Sequence, residues 1–82
     1  MKLEILSPEK VYFSGEVTMV TLPGKQGKFT VLENHAAIIS MLENGVMVYR
    51  VNGIDQHLNI GAGFVDVNNN RVVVCIEQVA ND

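Results

Sequence analysis

Apolar and polar residues alternate with a period of two along almost the whole chain, the spacing of strands whose side chains point to opposite faces in turn. Lys2–Leu6 runs Lys, Leu, Glu, Ile, Leu and is stopped by Ser7-Pro8. A second run extends from Val11 through Leu22 and is interrupted by Ser14-Gly15, where Gly15 marks a bend or bulge. Pro23-Gly24 reads as a turn, Gly27 as the next punctuation, and Phe29–Leu32 as a short strand. Residues 36–42, AAIISML, admit a short helix through alanine and methionine and a strand through Ile38 and Ile39. Seven residues bounded by Asn34 and Asn44-Gly45 are too few for a typical helix, so the spacing predicts a tight entry at 34–37 and a strand over 38–42. Asn44-Gly45 and Asn52-Gly53 are turn signals tolerant of positive φ, and they bracket a strand at Val46–Val51. Ile54–Ile60 follows at hairpin spacing. Gly61-Ala62-Gly63 then precedes Phe64–Val67, and Asn68-Asn69-Asn70 turns the chain into Arg71–Gln78. Its stretch VVVCI is apolar on both faces, which suits a central strand packed on both sides or one whose second face meets a partner.

Eight or so short strands, separated by Gly and Asn turns, describe an all-β sandwich or barrel. With 82 residues and no linker, repeat or charge block, residues 1–82 read as one domain with a thin core. The apolar fraction of 48% is globular, while the charged fraction of 18% lies below the usual quarter. Eight asparagines stand partly in place of the missing charge. A net charge of −3, with six basic residues spread singly, argues against nucleic acid, because no cluster neutralises neighbouring phosphates. No apolar run approaches a membrane span or a signal peptide. The single cysteine, Cys75, excludes an intrachain disulfide and reads as a small buried hydrophobe.

Candidate chemistry is thin. His35 and His57 are isolated, and neither belongs to a metal-ligand motif. Ser14 and Ser40 lack a nucleophile elbow, and Cys75 sits in an apolar run rather than an electropositive one. The acids Glu9, Glu16, Glu33, Glu43, Asp55, Asp66 and Glu77 alternate with core positions or occupy turns, which reads as solvated surface. Gly24-Lys25-Gln26-Gly27-Lys28 superficially suggests a phosphate loop, yet it leads into Phe29-Thr30 and a strand rather than a helix N-terminus. His35 reads as a structural residue whose two ring nitrogens bridge backbone groups of an irregular loop. No enzyme site emerges, and the default is a binding or assembly module.

Five pieces, in order and covering nearly the whole chain, carry a family resemblance: FSGEV at 13–17, LPGKQG at 22–27, FTVLENHAAI at 29–38, LENG at 42–45, and AGFVDV at 62–67 followed by NRVVVCIE at 70–77. Together they resemble the N-terminal β-sandwich domain of the epsilon subunit of rotary, proton-translocating ATP synthase. The resemblance implies an antiparallel sandwich of two sheets of about five strands, without catalytic residues or cofactor. It implies a place in the central stalk, bound to the gamma subunit and touching the membrane ring of c subunits. That is a peripheral position on the cytoplasmic face of a bacterial membrane. Gly15, Gly24, Gly27, His35, Gly45 and Gly63 are its expected turn and loop positions. Lys28, Glu33, Ile38 and Met41 are the expected ring-facing residues, and the strand face that meets gamma stays unassigned.

The chain departs from the family pattern at Lys28, where an acid is usual, at Thr30, where glycine is usual, and at Glu33 and Ala37, where prolines flank the histidine. Losing two prolines removes built-in φ restriction from the loop. A glycine pair of the family has become Ala62-Gly63, which makes Gly63 the position expected to require glycine. Most members carry two helices after the sandwich that restrain ATP hydrolysis or bind ATP. This sequence stops at Asp82, so neither a helical latch nor a nucleotide site is expected within it. The competing reading is a free-standing carbohydrate- or peptide-binding module, which needs a concave patch of aromatic rings. Tyr12, Phe13, Phe29, Tyr49 and Phe64 are scattered, and there is no tryptophan.

Overall fold

A computed structural model of the chain describes residues 1–79. Nine strands follow one another: β1 (Lys2–Leu6), β2 (Val11–Glu16), β3 (Met19–Leu22), β4 (Phe29–Leu32), β5 (Ile38–Leu42), β6 (Gly45–Val51), β7 (Ile54–Ile60), β8 (Gly63–Asn68) and β9 (Arg71–Ile76). They form a five-stranded sheet in the order β2-β1-β9-β8-β5 and a four-stranded sheet in the order β4-β3-β6-β7. The described residues include no helix, and none long and apolar enough to cross a membrane.

The expected all-β sandwich is what forms, with two refinements. Among the described residues the second sheet has four strands, and Val79 returns to bridge Ile60 at the end of β7. The larger sheet is not wholly antiparallel, because β1 pairs with β9 in parallel. A parallel pair needs a long connection, and here the entire intervening chain supplies it.

The long run Val11–Leu22 is two strands on different sheets, and the chain crosses between them at Val17-Thr18. Val17 N–H donates to the Met1 carbonyl at 2.9 Å beside β1, and Thr18 N–H donates to the Arg50 carbonyl at 3.1 Å on β6. No glycine or proline marks the crossing, yet the phase of burial shifts there, from Val17 before it to Val20 and Leu22 after it. Gly15, expected at a bend, instead lies in regular register opposite Leu3, and the β1–β2 irregularity falls between Ile5 and Leu6. The two Asn-Gly signals also separate. Asn52-Gly53 closes the β6–β7 hairpin with φ of 51° and 79°, and Asn69-Asn70 closes β8–β9 with 51° and 61°. Two consecutive positive φ values match the right-handed twist of the paired strands. Asn44 and Gly45 have no positive φ, because that link carries the chain from one sheet to the other rather than folding it back on a neighbour.

The core lies between the sheets. Leu3, Ile5, Leu42, Val65, Val67, Val72, Val74 and Ile76 come from the larger sheet, and Val20, Leu22, Val31, Met47 and Ile60 from the smaller. Phe13 of β2 meets Tyr49 of β6 across the gap, ring centroids 4.7 Å apart and tilted by 47°. This inward set is why the opposite positions on β1, β5, β8 and β9 share one outer face.

Candidate functional site: an apolar sheet face

The pairing register lines up one row of side chains across all five strands of the larger sheet. Met41 lies opposite Phe64, Phe64 opposite Cys75, Cys75 opposite Leu6, and Leu6 opposite Val11. At strand spacing the row spans about 19 Å. Every member is apolar, yet Val11, Met41 and Phe64 keep 61%, 59% and 43% of their surface exposed. The next row reads Ile39, Asp66, Val73, Glu4, Ser14, with Ile39 74% exposed. The third reads Asn68, Arg71, Lys2, Glu16. The face therefore grades from an apolar row to a polar one, and Arg71 Nη2 reaches Glu4 Oε1 at 3.3 Å within its polar part. An open groove of about 430 Å³ lies at the apolar end, walled by Leu6, Pro8, Phe64, Cys75 and Ile76.

The outer face of the smaller sheet differs. Its rows mix Met19 with Arg50 and Asp55, and Thr21 with Thr30, Val48 and His57. Arg50 Nε donates to Asp55 Oδ1 at 2.6 Å, and the two threonine hydroxyls bond at 2.9 Å. That pairing holds the Asp55 carboxyl below the usual carboxylate range and the guanidinium above its own. Polar pairs of this kind are already satisfied and well solvated, whereas an apolar row in water gains by being covered.

Sequence reasoning found the double-sided character of Val72–Ile76 but placed Cys75 inside. The thiol is half-buried on the outer face, one residue out of phase with the core-facing Val74 and Ile76. The cross-strand row itself escaped the sequence, because register between strands distant along the chain is not written in any one of them. Of the five aromatic residues only Phe64 stands on this face; Phe13, Phe29, Tyr12 and Tyr49 pack against the core. A stacking platform for sugars needs several rings together, and the described residues offer one.

The expected ring-facing residues fall at two ends. Lys28 precedes β4 and Glu33 follows it, about 16 Å apart along an extended strand. The Lys28 end holds the glycine turn: Gly27 N–H donates to the Gly24 carbonyl at 3.0 Å, Gly27 has φ 129°, and Lys25 N–H donates to the Met41 carbonyl at 2.9 Å. A Cβ on Gly24 would lie 2.5 Å from the Gly27 carbonyl oxygen, so the turn closes only on glycine. Met41 belongs to this end. Ile38, 38% exposed, starts β5 at the other end of that strand. Gly45 begins β6, where a Cβ would meet Pro23 Cβ at 2.9 Å, and Gly63 begins β8.

The Glu33 end is a clamp on the chain's amino group. The Met1 α-amine donates to Glu33 Oε1 at 2.7 Å and to the Val17 carbonyl at 3.1 Å, with Glu16 Oε1 3.5 Å away. Asn70 Nδ2 donates to Glu33 Oε2 at 3.0 Å, while Asn70 Oδ1 accepts from Asn34 N–H at 2.9 Å. Asn34 has φ 62°, which an asparagine tolerates. Where the family pattern has proline, Glu33 thus ties three distant segments together. His35 is half-buried, and its Nδ1 lies 2.7 Å from the Ala36 carbonyl. That is one backbone partner where a bridge through both nitrogens was expected. Among the described residues no group of three His, Cys, Asp or Glu side chains converges to hold a metal.

The clamp has a pH signature. Hydrogen bonding to Glu33 raises the Met1 amine above its ordinary range, and the same bond holds the Glu33 carboxyl below its own. The amine's share of stability is complete below its unfolded pKa of about 8 and disappears as pH rises through the higher folded value. Glu33's share is complete above its unfolded value of about 4.3 and disappears as pH falls through the lower folded one. Thermal midpoints should therefore fall on the alkaline side, and an Nα-acetylated chain should melt lower at neutral pH and lose that alkaline decline. Superimposable melting curves for the two chains across this range would rule the clamp out as a stabilising contact.

Fold and surface together define a class: a small β-sandwich whose exposed chemistry is a flat apolar sheet rather than a cleft of reactive groups. The family described as "ATP synthase, Delta/Epsilon chain, beta-sandwich domain" matches residues 1–82, and the chain belongs to that family. It is similar to the ATP synthase epsilon chain of Campylobacter fetus, 40% identical over 76 residues that make up 92% of this chain and 59% of the relative. It is also similar to the epsilon chain of Chlorobium limicola, 35% identical over 80 residues, 96% of this chain and 91% of the relative. The chain thus spans about three fifths of the Campylobacter relative and nearly all of the Chlorobium one. The same fold occurs in a chain of the Euglena gracilis mitochondrial ATP synthase (OSCP/F1/c-ring), with TM-score 0.88, 21% identity, and 95% of this chain and 51% of that one covered. A chain of the Tetrahymena thermophila central stalk and c-ring gives 0.82 at 15% identity, covering 95% and 63%.

Proposed function

We propose that this chain is a non-catalytic rotor component of an ATP synthase, the sandwich that fastens the membrane ring to the central shaft. It turns with the gamma subunit and passes torque between proton flow and ATP synthesis, peripheral to the membrane on its cytoplasmic side. The family supports the setting. The apolar row Met41–Phe64–Cys75–Leu6–Val11 is the observation that carries the docking assignment. A torque-bearing contact needs a desolvated centre for affinity and polar surroundings to fix rotation. This face has the first in its apolar row and the second in Arg71, Glu4, Lys2 and Asp66. We assign the face from Val11 to Phe64 to gamma, and the glycine turn at Gly24–Lys28, with the adjoining β5 edge at Ile39 and Met41, to the ring.

The test is co-purification. Gamma from the same organism, expressed with this chain, should elute with it as a one-to-one complex. Separate elution of two folded proteins at micromolar concentration would remove the stalk reading.

A further inference from the structure

We infer that the β3–β4 turn seats an acidic polypeptide loop, so that the ring surface opposite it presents a carboxylate. This deepens the ring-facing assignment above and rests on it. Lys25 and Lys28 lie on one turn and make no ion pair among the described residues. Arg50 is engaged with Asp55, Arg71 with Glu4, and Lys10 with the Tyr12 ring at 4.7 Å, while Lys2, opposite Glu16 in register, stands singly without an ion pair among the described residues. On a chain of net charge −3, this turn is where unneutralised positive charge gathers. Glu43, whose N–H binds the Pro23 carbonyl at 3.0 Å, is brought beside the turn by that bond and forms no ion pair among the described residues.

The charge is held beside apolar surface. Lys25 N–H donates to the Met41 carbonyl on the free edge of β5, which fixes the lysine next to exposed Ile39 and Met41. Lys25, Gln26, Ile39, Ser40 and Met41 line one open groove of about 530 Å³. A carboxylate flanked by an apolar residue would answer both parts of it, and attraction of opposite charge would steer that loop onto the turn. Anionic lipid is the weaker match, since headgroup recognition takes clusters of roughly four to eight basic residues and the turn has two. Lys25 is the residue the sequence hid, because Gly24-Lys25-Gln26-Gly27-Lys28 drew attention as a failed phosphate loop.

The experiment uses the complex of this chain with gamma, added to purified ring from the same organism in detergent and treated with a carbodiimide. The reagent joins a lysine amine to a carboxylate in direct contact, with loss of water to the carbodiimide. Mass spectrometry should find Lys25 or Lys28 joined to an Asp or Glu of the ring. The Lys25→Glu/Lys28→Glu double variant should bind the ring about tenfold more weakly at low salt, with a loss that shrinks as salt rises, while Lys25→Arg/Lys28→Arg keeps wild-type binding. If the wild-type complex does not bind the ring at all, the ring-facing assignment falls and this inference with it. Undiminished binding by the double glutamate variant overturns this inference alone. Equal binding of the wild type to ring-free phosphatidylglycerol–phosphatidylcholine vesicles also overturns it, in favour of a lipid surface.

Discussion

Gly63→Ala should cost the sandwich about 3 kcal/mol or more, a large part of the 5–15 kcal/mol that holds a domain together. A Cβ at this position would stand 2.0 Å from the Cys75 carbonyl oxygen, 2.8 Å from Ile76 Cα and 3.0 Å from the Cys75 carbonyl carbon. All three are backbone atoms of β9, the central strand of the larger sheet, so no side-chain rotation can relieve the overlap. Gly63 is also paired on both sides, with Leu42 on β5 and Ile76 on β9, so moving it disturbs two ladders at once. For a domain of this size the loss lowers the melting midpoint by roughly 12–24 °C. Gly61→Ala is the matched control: its Cβ would lie 3.3 Å from the Gln78 carbonyl oxygen, a contact that a few tenths of an ångström relieves. Urea unfolding of both variants measures the difference. Equal stabilities would show that β8 and β9 do not approach as closely as described.

Phe64→Asp should leave the fold intact and weaken gamma binding at least a hundredfold, about 2.7 kcal/mol. Phe64 is 43% exposed on the outer face, so the free chain loses little when the ring is replaced. Its position is second in the five-residue row, flanked by Met41 and Cys75. In a covered interface the substitution removes an aromatic anchor and buries a carboxylate with no cation opposite it, and both effects cost affinity. Val46→Asp supplies the contrast. Val46 is 46% exposed on the outer face of the smaller sheet, opposite Asn59, and its substitution should leave binding unchanged. Titration calorimetry against gamma compares the two variants. Greater damage from Val46→Asp would move the interface to the other sheet.

The strands were legible in the sequence because period two is a local property. Phe29–Leu32 and Ile54–Ile60 are found at the bounds the pattern predicts, and Asn52-Gly53 closes the hairpin its φ preference announces. What local pattern cannot say is which sheet a strand joins. Val17-Thr18 crosses between sheets with no glycine or proline to mark it, and Asn44-Gly45 looks like a hairpin turn but performs a crossing. The family resemblance supplied the sandwich, and only the register supplied the docking face, by lining up Leu6, Val11, Met41, Phe64 and Cys75. The Glu33 clamp was illegible for the same reason. It joins Met1, Glu33 and Asn70, and no local signal links residues so far apart along the chain.

Methyl cross-saturation within the gamma complex tests the docking face most directly. Saturating gamma's protons should attenuate the methyl signals of Leu6, Val11 and Val73, and leave Met19, Val46 and Val48 at full intensity. Attenuation confined to Met19, Val46 and Val48, with the first group untouched, would contradict the assignment of the five-stranded face to gamma.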